Sequence, residues 1–156
     1  MKTPDTLLVY RPEEVYEMRR NEMGFTLVEL MIVVTIIGVL AAISIPNFAD
    51  MQNHAREGSV RANMHTFQMT MEDYATIHDG IYATNAEKAQ IKALVPQGNW
   101  PRNPFTGLRL ADADVSFGAD PDAAGEMGAN PATISGYAIR GFGRSALLSL
   151  TLSNGI

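Results

Sequence analysis

The sequence predicts an α+β protein in which one long N-terminal α-helix packs on a small C-terminal antiparallel β-sheet. Three observations predict this fold class. A long apolar run carries a single charge, apolar residues then recur at helical spacing, and stretches of alternating apolar and polar residues follow near the C-terminus. The chain has 156 residues, which suits one small domain attached to an anchor.

The composition excludes several classes of function. The chain has no cysteine, so a disulfide framework, a thiolate metal site and a cysteine nucleophile are excluded. Its formal net charge of −5 disfavours a nucleic-acid surface, because phosphate binding needs clustered lysine and arginine. The sequence has no phosphate-binding glycine loop, nucleophile motif or catalytic carboxylate pair, so we expect neither an enzyme nor a cofactor site.

Residues 1–24 differ from an ordinary secretory signal peptide, because the apolar stretch follows them instead of lying within them. Arg19 and Arg20 lie just before that stretch, and the next basic residue, Arg56, lies well beyond it. Lysine and arginine near a span set its orientation. We therefore expect residues 1–24 to stay in the cytoplasm and the C-terminal part of the chain to cross the membrane.

The apolar segment at residues 25–46 is long enough to cross a bilayer as a helix, since about 20 apolar residues match the hydrocarbon core. Its one charge is Glu29. Gly38 and Pro46 are the weak points of the predicted helix. Glycine costs about 1 kcal/mol relative to alanine inside a helix, and Pro46 lacks a backbone donor, which predicts a kink.

Residues 47–78 continue the helix as its amphipathic half. Glu57 and Arg61 are four residues apart with the acid first, which predicts an ion pair on the helix surface. The turn signal Asp79-Gly80 ends the pattern, so one helix is predicted from residue 25 to about residue 77. The apolar stripe that defines this half recurs at steps of three and four residues: Val60, Met64, Phe67, Met71 and Tyr74.

Local signals predict how the head begins. Thr84 and Glu87 have the spacing of a capping box, which predicts a short helix from Glu87 to Leu94. A loop rich in proline and glycine then carries Trp100 and Phe105. We expect these two aromatic side chains to pack against the apolar stripe of the long helix rather than to bind a ligand.

The head as a whole is placed at residues 79–156. Short strands are predicted at residues 108–110 and 115–117, and residues 118–132 are predicted to be an acidic loop rich in glycine and alanine. The acids of this loop and of the residues just before it could offer oxygen ligands to Ca²⁺, but their spacing matches no EF-hand, so a solvated acidic loop is favoured. These acids are Asp112, Asp114, Asp120, Asp122 and Glu126. Alternating apolar and polar residues then predict two strands, at residues 137–140 and 148–153, which residues 141–145 join as a hairpin.

The stretch Gly24-Phe25-Thr26-Leu27-Val28-Glu29, followed by a long apolar run and a proline, resembles the N-terminal signal of type IV pilins and type II secretion pseudopilins. The resemblance covers residues 24–46 closely and the following helix more loosely. It implies that residues 1–24 are a leader cut after Gly24 by a prepilin peptidase. It also implies that Phe25 becomes an N-methylated terminus, that Glu29 acts in assembly, and that the fold is pilin-like.

The role of Glu29 has three explanations at this point. The carboxylate can stabilise the dipole of the first helical turn, or pair with the new amine of its own Phe25. The resemblance implies a third role, in which Glu29 pairs with the Phe25 amine of a neighbouring subunit and so checks the register of assembly. The family resemblance also suggests that residues 38–46 lose helix when subunits pack.

The resemblance implies a structural subunit that forms a helical homopolymer, with or without minor pilins. The other expected partners are the prepilin peptidase and methyltransferase, the inner-membrane assembly platform, and the lipid bilayer before assembly. The precursor is then a single-pass protein of the bacterial inner membrane. The product is a surface pilus serving adhesion, motility, DNA uptake, export or electron transfer. Two alternatives are an envelope-confined pseudopilin of type II secretion and a membrane-anchored binding protein that never polymerises.

Overall fold

The structure is a computed structural model that describes residues 24–155. The long helix α1 spans Leu27–Ile77, and the short helix α2 spans Lys88–Leu94. The chain divides into two compact units, one ending at Leu40 and the other beginning at Ala41. The strands, all in the second unit, are β1 Val115–Phe117, β2 Met127–Thr133, β3 Gly136–Phe142 and β4 Leu147–Ser153.

The predicted α+β architecture is confirmed. In the second unit, the apolar stripe of α1 is buried as the spacing indicated, and it forms one core with the sheet and the loops. The helix begins two residues after Phe25 and ends at Ile77. Asp79 and Gly80 follow with positive φ angles of 55° and 83°, so the predicted turn signal ends the helix.

The sheet has the strand order β1-β2-β3-β4. The β3–β4 pair is the predicted antiparallel hairpin, and β2 also pairs with β3 antiparallel. The prediction of an antiparallel sheet fails at the edge, where β1 pairs with β2 in parallel. The loop at residues 118–126 carries the chain back so that Val115 lies opposite Met127. The Gly118 amide, at a φ of +83°, donates to the Ala129 carbonyl at 2.8 Å and so begins this return.

Two predictions for the head are wrong. Residues 127–133 are a strand, although residues 127–132 were predicted to belong to the acidic loop. Their small residues hide the alternation of a strand, and a Cβ on Gly128 would lie 2.9 Å from the Ser116 Cβ. Residues 108–110 make only the isolated bridge between Arg109 and Arg102, because the loop folds back on itself around Gly107.

Two close contacts hold the head on α1. A Cβ on Gly141 would lie 2.7 Å from the Met64 Sδ atom, so only glycine lets β3 approach the helix this closely. Trp100 is buried and meets the Phe67 ring edge to face at 5.9 Å between centroids. The predicted packing of Trp100 on the stripe is confirmed, and Phe105, which is half-buried, packs against the same core.

The predicted ion pair between Glu57 and Arg61 is absent from the described chain. The Glu57 carboxylate instead accepts a hydrogen bond from the Arg144 amide at 3.4 Å. The turn between β3 and β4 lies so close that a Cβ on Gly143 would be 2.8 Å from this carboxylate. The Glu57 carboxylate is therefore bound by the β3–β4 turn, and Arg61 forms no ion pair among the described residues.

Candidate functional site

The candidate site is the beginning of α1, where an apolar surface is exposed. Gly24, Phe25 and Thr26 precede the helix in a non-helical conformation, and the Phe25 side chain is 79% exposed. The large apolar side chains from there to Ile45 are exposed as well. Among helices of residues 24–155, α1 alone is long and apolar enough to cross a membrane.

Glu29 lies in the first turn of α1 and closes a reciprocal hydrogen-bonded box with Thr26. One Glu29 carboxylate oxygen, Oε2, accepts the Thr26 amide and the Thr26 hydroxyl, each at 2.9 Å. The Thr26 Oγ1 atom in turn accepts the Glu29 amide at 3.2 Å. The box satisfies two backbone donors that the helix itself leaves unpaired at its N-terminus.

The geometry leaves the Glu29 carboxylate able to bind a further donor. Its other oxygen, Oε1, accepts no hydrogen bond from residues 24–155. A carboxylate at a helix N-terminus is stabilised by the helix dipole, and an ionised carboxylate can accept several hydrogen bonds. The local dipole role of Glu29 and a pairing with a cation outside the chain are therefore compatible.

Gly38 and Pro46 lie within an unbroken helix. The described helix continues through Pro46, whose ring removes the donor that the Ala42 carbonyl would otherwise accept. The Asn47 side chain donates to the Ile43 carbonyl at 3.1 Å, which supplies a partner next to the disrupted position. Apart from its chain neighbours and the nearby helix backbone, nothing in the described chain lies within 4 Å of a Cβ built on Gly38, so contacts with other parts of the chain do not require this glycine.

Two acids once considered as calcium ligands are bound by the head itself. The Asp112 carboxylate accepts the Trp100 indole at 2.7 Å and the Lys92 ammonium at 2.8 Å. Both hydrogen bonds hold the pKa of Asp112 below its usual value, and the bond from Lys92 has the larger effect. Asp120 forms an ion pair with Arg140 at 2.8 Å.

The remaining loop acids have separate surroundings. Asp114 accepts the Ala111 amide at 2.7 Å, and Glu126 accepts the Ala123 amide at 3.2 Å. Burial raises the pKa of Glu126, with the charges of Asp122 and Asp114 adding to the effect. Across residues 24–155, no group of three or more histidine or acidic side chains could hold a metal ion.

Several side chains that organise the molecule were missed in the sequence. The Thr26–Glu29 box has the same spacing as the predicted Thr84–Glu87 box, so that pattern could have revealed it. Asn103 is buried, donates to the Ala124 carbonyl and accepts the Phe105 amide, both at 2.8 Å. Only the turn preference of asparagine pointed to this role.

A tyrosine–carboxylate cluster at the end of α1 gave no local signal. The hydroxyls of Tyr137 and Tyr82 both donate to the Glu72 carboxylate, that of Tyr82 at 3.1 Å. Burial and the hydrogen bond to Glu72 raise the pKa of Tyr137 far above its usual value. The predicted leader at residues 1–24, with Arg19 and Arg20, lies outside the described residues except for Gly24.

Comparisons with known proteins point to one family. The family model described as the prokaryotic N-terminal methylation motif matches residues 19–45. The chain is 34% identical over 141 residues to the type IV major fimbrial protein FimA of Dichelobacter nodosus, an alignment that covers 85% of this chain and 79% of FimA.

Two shorter alignments agree. The chain is 39% identical over 98 residues to the type IV wide pilus major component PilA4 of Thermus thermophilus, covering 63% of each protein. It is 43% identical over 56 residues to the type IV major pilin protein PilA of Myxococcus xanthus, covering 36% of this chain and 26% of that protein. No solved structure matches the chain.

Proposed function

The chain belongs to the type IV pilin family, and from that premise we propose that it is a prepilin whose mature form is the structural subunit of a type IV pilus. The observation that carries the proposal is the exposed apolar surface of residues 25–45, with the Glu29 carboxylate at its start. Contiguous apolar surface of this extent is a feature of protein or membrane contacts. The three relatives are themselves named as major pilus or fimbrial proteins, which supports a pilus.

Processing is the first step of the proposal. The prepilin peptidase cuts after Gly24, and methylation of the new amine follows at Phe25. Both residues precede the first helical residue, Leu27, and both are exposed, so their peptide bond is not protected by helical hydrogen bonds. The match of the methylation motif to residues 19–45 supports this step.

Before assembly, the proposed location is the bacterial inner membrane, with residues 1–24 in the cytoplasm and residues 25–46 spanning the bilayer. The head then lies on the opposite side. The assembly platform in that membrane transfers the mature subunit to the filament base. The apolar segment passes from lipid to a bundle of like helices, so its large side chains stay out of water throughout.

Glu29 gives the proposed assembly step its register. In the bundle, its unused carboxylate oxygen accepts the positively charged amine of Phe25 from a neighbouring subunit. An unpaired charge in such surroundings is costly, whereas a close pair of opposite charges is strongly attracted at low dielectric. Subunits with the correct offset satisfy both charges, and wrongly offset subunits satisfy neither.

The segment between Gly38 and Pro46 is proposed to extend in the filament. Its two weak helix positions lower the cost of losing helical hydrogen bonds there. Changing the eight steps from helical to extended rise would add roughly 14 Å of reach. A filament map with continuous helical density through residues 38–46 would remove this part of the proposal and leave the rest intact.

The experiment that tests the function is to shear cells and identify the protein in the released filaments by mass spectrometry. The expected result is a chain that begins at N-methylated Phe25. The same processed chain confined to the envelope fraction would favour the pseudopilin alternative. An unprocessed chain that still begins at Met1 would contradict the prepilin proposal and leave the membrane-anchored binding protein as the alternative.

A further inference from the structure

The ammonium group of Lys88 is bound by oxygens from a different part of the head. Lys88 is the first residue of α2, and its Nζ atom donates to the main-chain carbonyls of Asp112 and Val115. These carbonyls lie 24 and 27 residues further along the chain. The contact therefore joins α2 to the turn at residues 112–115, at the start of β1.

The surroundings of this ammonium are those of a cation site. Two main-chain carbonyls accept its hydrogen bonds, and the same turn carries the carboxylates of Asp112 and Asp114. The Phe117 ring adds an aromatic face, with its centroid 5.9 Å from the Lys88 Nζ atom. Carbonyl and carboxylate oxygens are also the ligands with which proteins hold hard metal cations. The turn thus presents to Lys88 what it would present to a bound ion.

Burial makes this position a demanding one for a charge. Lys88 is half-buried, and Val115 is fully buried. Burial lowers the pKa of Lys88, and the charges of Asp112 and Asp114 act in the opposite direction. A charge that is withdrawn from water is costly unless polar groups replace its hydration. The two carbonyls supply that replacement, which distinguishes Lys88 from a lysine that lies on the surface.

The same turn is connected to the core of the head. The Trp100 indole donates to the Asp112 carboxylate at 2.7 Å, and the Phe117 ring meets the Phe67 ring edge to face at 5.5 Å between centroids. Trp100 and Val115 both belong to the buried core. Order in the turn at residues 112–115 therefore affects β1 and the tryptophan together.

We propose that residues 112–115 form a cation site of the head and that the Lys88 ammonium fills it, in the place that a free cation would otherwise have. The head then keeps this turn ordered without depending on the cations of the medium. A chain without the Lys88 ammonium should leave the site open to a small cation from solution. An alkylammonium ion is the expected ligand, because the site is shaped around an ammonium group. The proposal does not depend on filament assembly.

Chemical rescue of a truncated lysine tests the proposal on the purified full chain in detergent. Urea is the denaturant, because guanidinium is itself a cation, and the tryptophan fluorescence reports unfolding. Lys88→Ala is expected to lower the ratio of folded to unfolded chain about tenfold, since the carbonyl of buried Val115 loses a donor. Propylammonium chloride, which replaces the lost atoms, is expected to restore most of that ratio. Sodium chloride and propanol at the same concentration are expected to restore little of it.

Two further variants separate the charge from the rest of the side chain. Lys88→Met keeps an apolar stem without the ammonium, so it is expected to lose stability like Lys88→Ala but to leave no space for propylammonium. Lys92→Ala removes the neighbouring ammonium of α2, which pairs at 2.8 Å with the largely exposed Asp112 carboxylate instead of with carbonyls. An exposed ion pair contributes little, so a small loss and no rescue are expected.

Three results would overturn the proposal. The first is unreduced stability of Lys88→Ala, and the second is a Lys88→Met variant as stable as the unaltered chain, which would assign the effect to the stem. The third is a gain from propylammonium no larger than that from sodium chloride or propanol, or equal in Lys92→Ala. If Lys88→Ala does not fold, recovery of folded chain after dilution from urea is compared with and without propylammonium. Equal recovery would contradict the cation site.

Discussion

The two halves of α1 are both helical, but their apolar side chains differ in exposure. Large apolar side chains from Leu27 to Ile45 are exposed, whereas those of the stripe from Val60 to Tyr74 are buried against the head. The buried stripe is explained by the fold of the chain itself. The exposed apolar surface has no partner among the described residues, so its side chains are expected to act on binding rather than on folding.

Two capping boxes show the same difference at the level of one chemical group. Thr84 and Glu87 form a box whose amide-to-carboxylate bond is 2.9 Å, the same length as in the Thr26–Glu29 box. The Thr84–Glu87 box starts the short turn before α2, where stabilising that turn is reason enough for the glutamate. The Thr26–Glu29 box places a glutamate in an apolar segment, where a neutral side chain could have capped the helix at lower desolvation cost.

The largest expected effect comes from removing that acid. Glu29→Ala is expected to lower the yield of sheared filaments at least about a hundredfold, because a charge in the bundle loses its partner. Membrane insertion and processing at Phe25 should be nearly unchanged. Both are measured on the same cells, by fractionation and by mass spectrometry of the mature chain.

Glu87→Ala is the matched control, since it removes the same group from the same kind of box. It is expected to weaken the head slightly and to leave filaments abundant. Normal filaments from the Glu29 variant would remove the distinction between the two boxes. So would an equal loss of filaments from both variants.

A second pair of substitutions compares the two surfaces of α1 directly. Phe67 is 1% exposed and Phe48 is 62% exposed. Phe67→Ala is expected to cost about 3–5 kcal/mol of unfolding free energy, because it leaves a cavity beneath Trp100 and Phe117. Phe48→Ala should cost less than about 0.5 kcal/mol. The measurement is denaturant unfolding of the full chain in detergent, followed by the fluorescence of its one tryptophan, which is buried in the head.

The third prediction concerns the hydroxyl groups of the two boxes. Thr84→Val removes a cap of the head and is expected to cost about 1 kcal/mol of unfolding free energy. Thr26→Val removes the equivalent cap from the first unit, so the tryptophan of the head should report no change. A similar loss of head stability in both variants would show that the two boxes are energetically coupled.

Apolar patterns that repeat over several helical turns were predictable from the sequence, and so was the architecture built on them. The five residues of the stripe are buried at the positions that their spacing indicated, and α1 ends at Ile77, as predicted. The wrong prediction of a loop where β2 lies has a physical cause. Its glycine and alanine residues carry no alternation of apolar and polar side chains, and close packing against β1 selects small residues.

The candidate site was less completely predictable than the fold. The acid at position 29 was evident as the one charge in an apolar run, but its bonds to Thr26 came from the structure. The network around Glu72 joins α1 to β3 across a long sequence separation. No local pattern encodes such a contact, and the same is true of the hydrogen bond from Asn103 to the Ala124 carbonyl, which lies in the loop after β1.

The smallest expected effect is on the acid sensitivity of the head. Since the pKa of Asp112 is lowered in the folded state, its contribution to stability is fully present above the ordinary aspartate value of about 3.9 and is lost as the pH falls through the folded value. Asp112→Asn should therefore flatten the fall in stability below about pH 4. The effect is small because the Asp112 side chain is 64% exposed.

Glu126 gives the opposite sign and completes the test. Burial raises its folded pKa, so it destabilises the head once the pH rises through the ordinary glutamate value, and Glu126→Gln should stabilise the head at neutral pH. Both variants are compared with the unaltered chain by tryptophan-monitored unfolding between about pH 3 and pH 7, the range in which these carboxyls titrate. Filament yield at neutral pH should be unaffected by either variant, because both carboxylates make their hydrogen bonds within the head of the same chain. Loss of filaments from Asp112→Asn would instead assign this acid to an intersubunit contact. The head would then act in binding as well, like the exposed first half of α1.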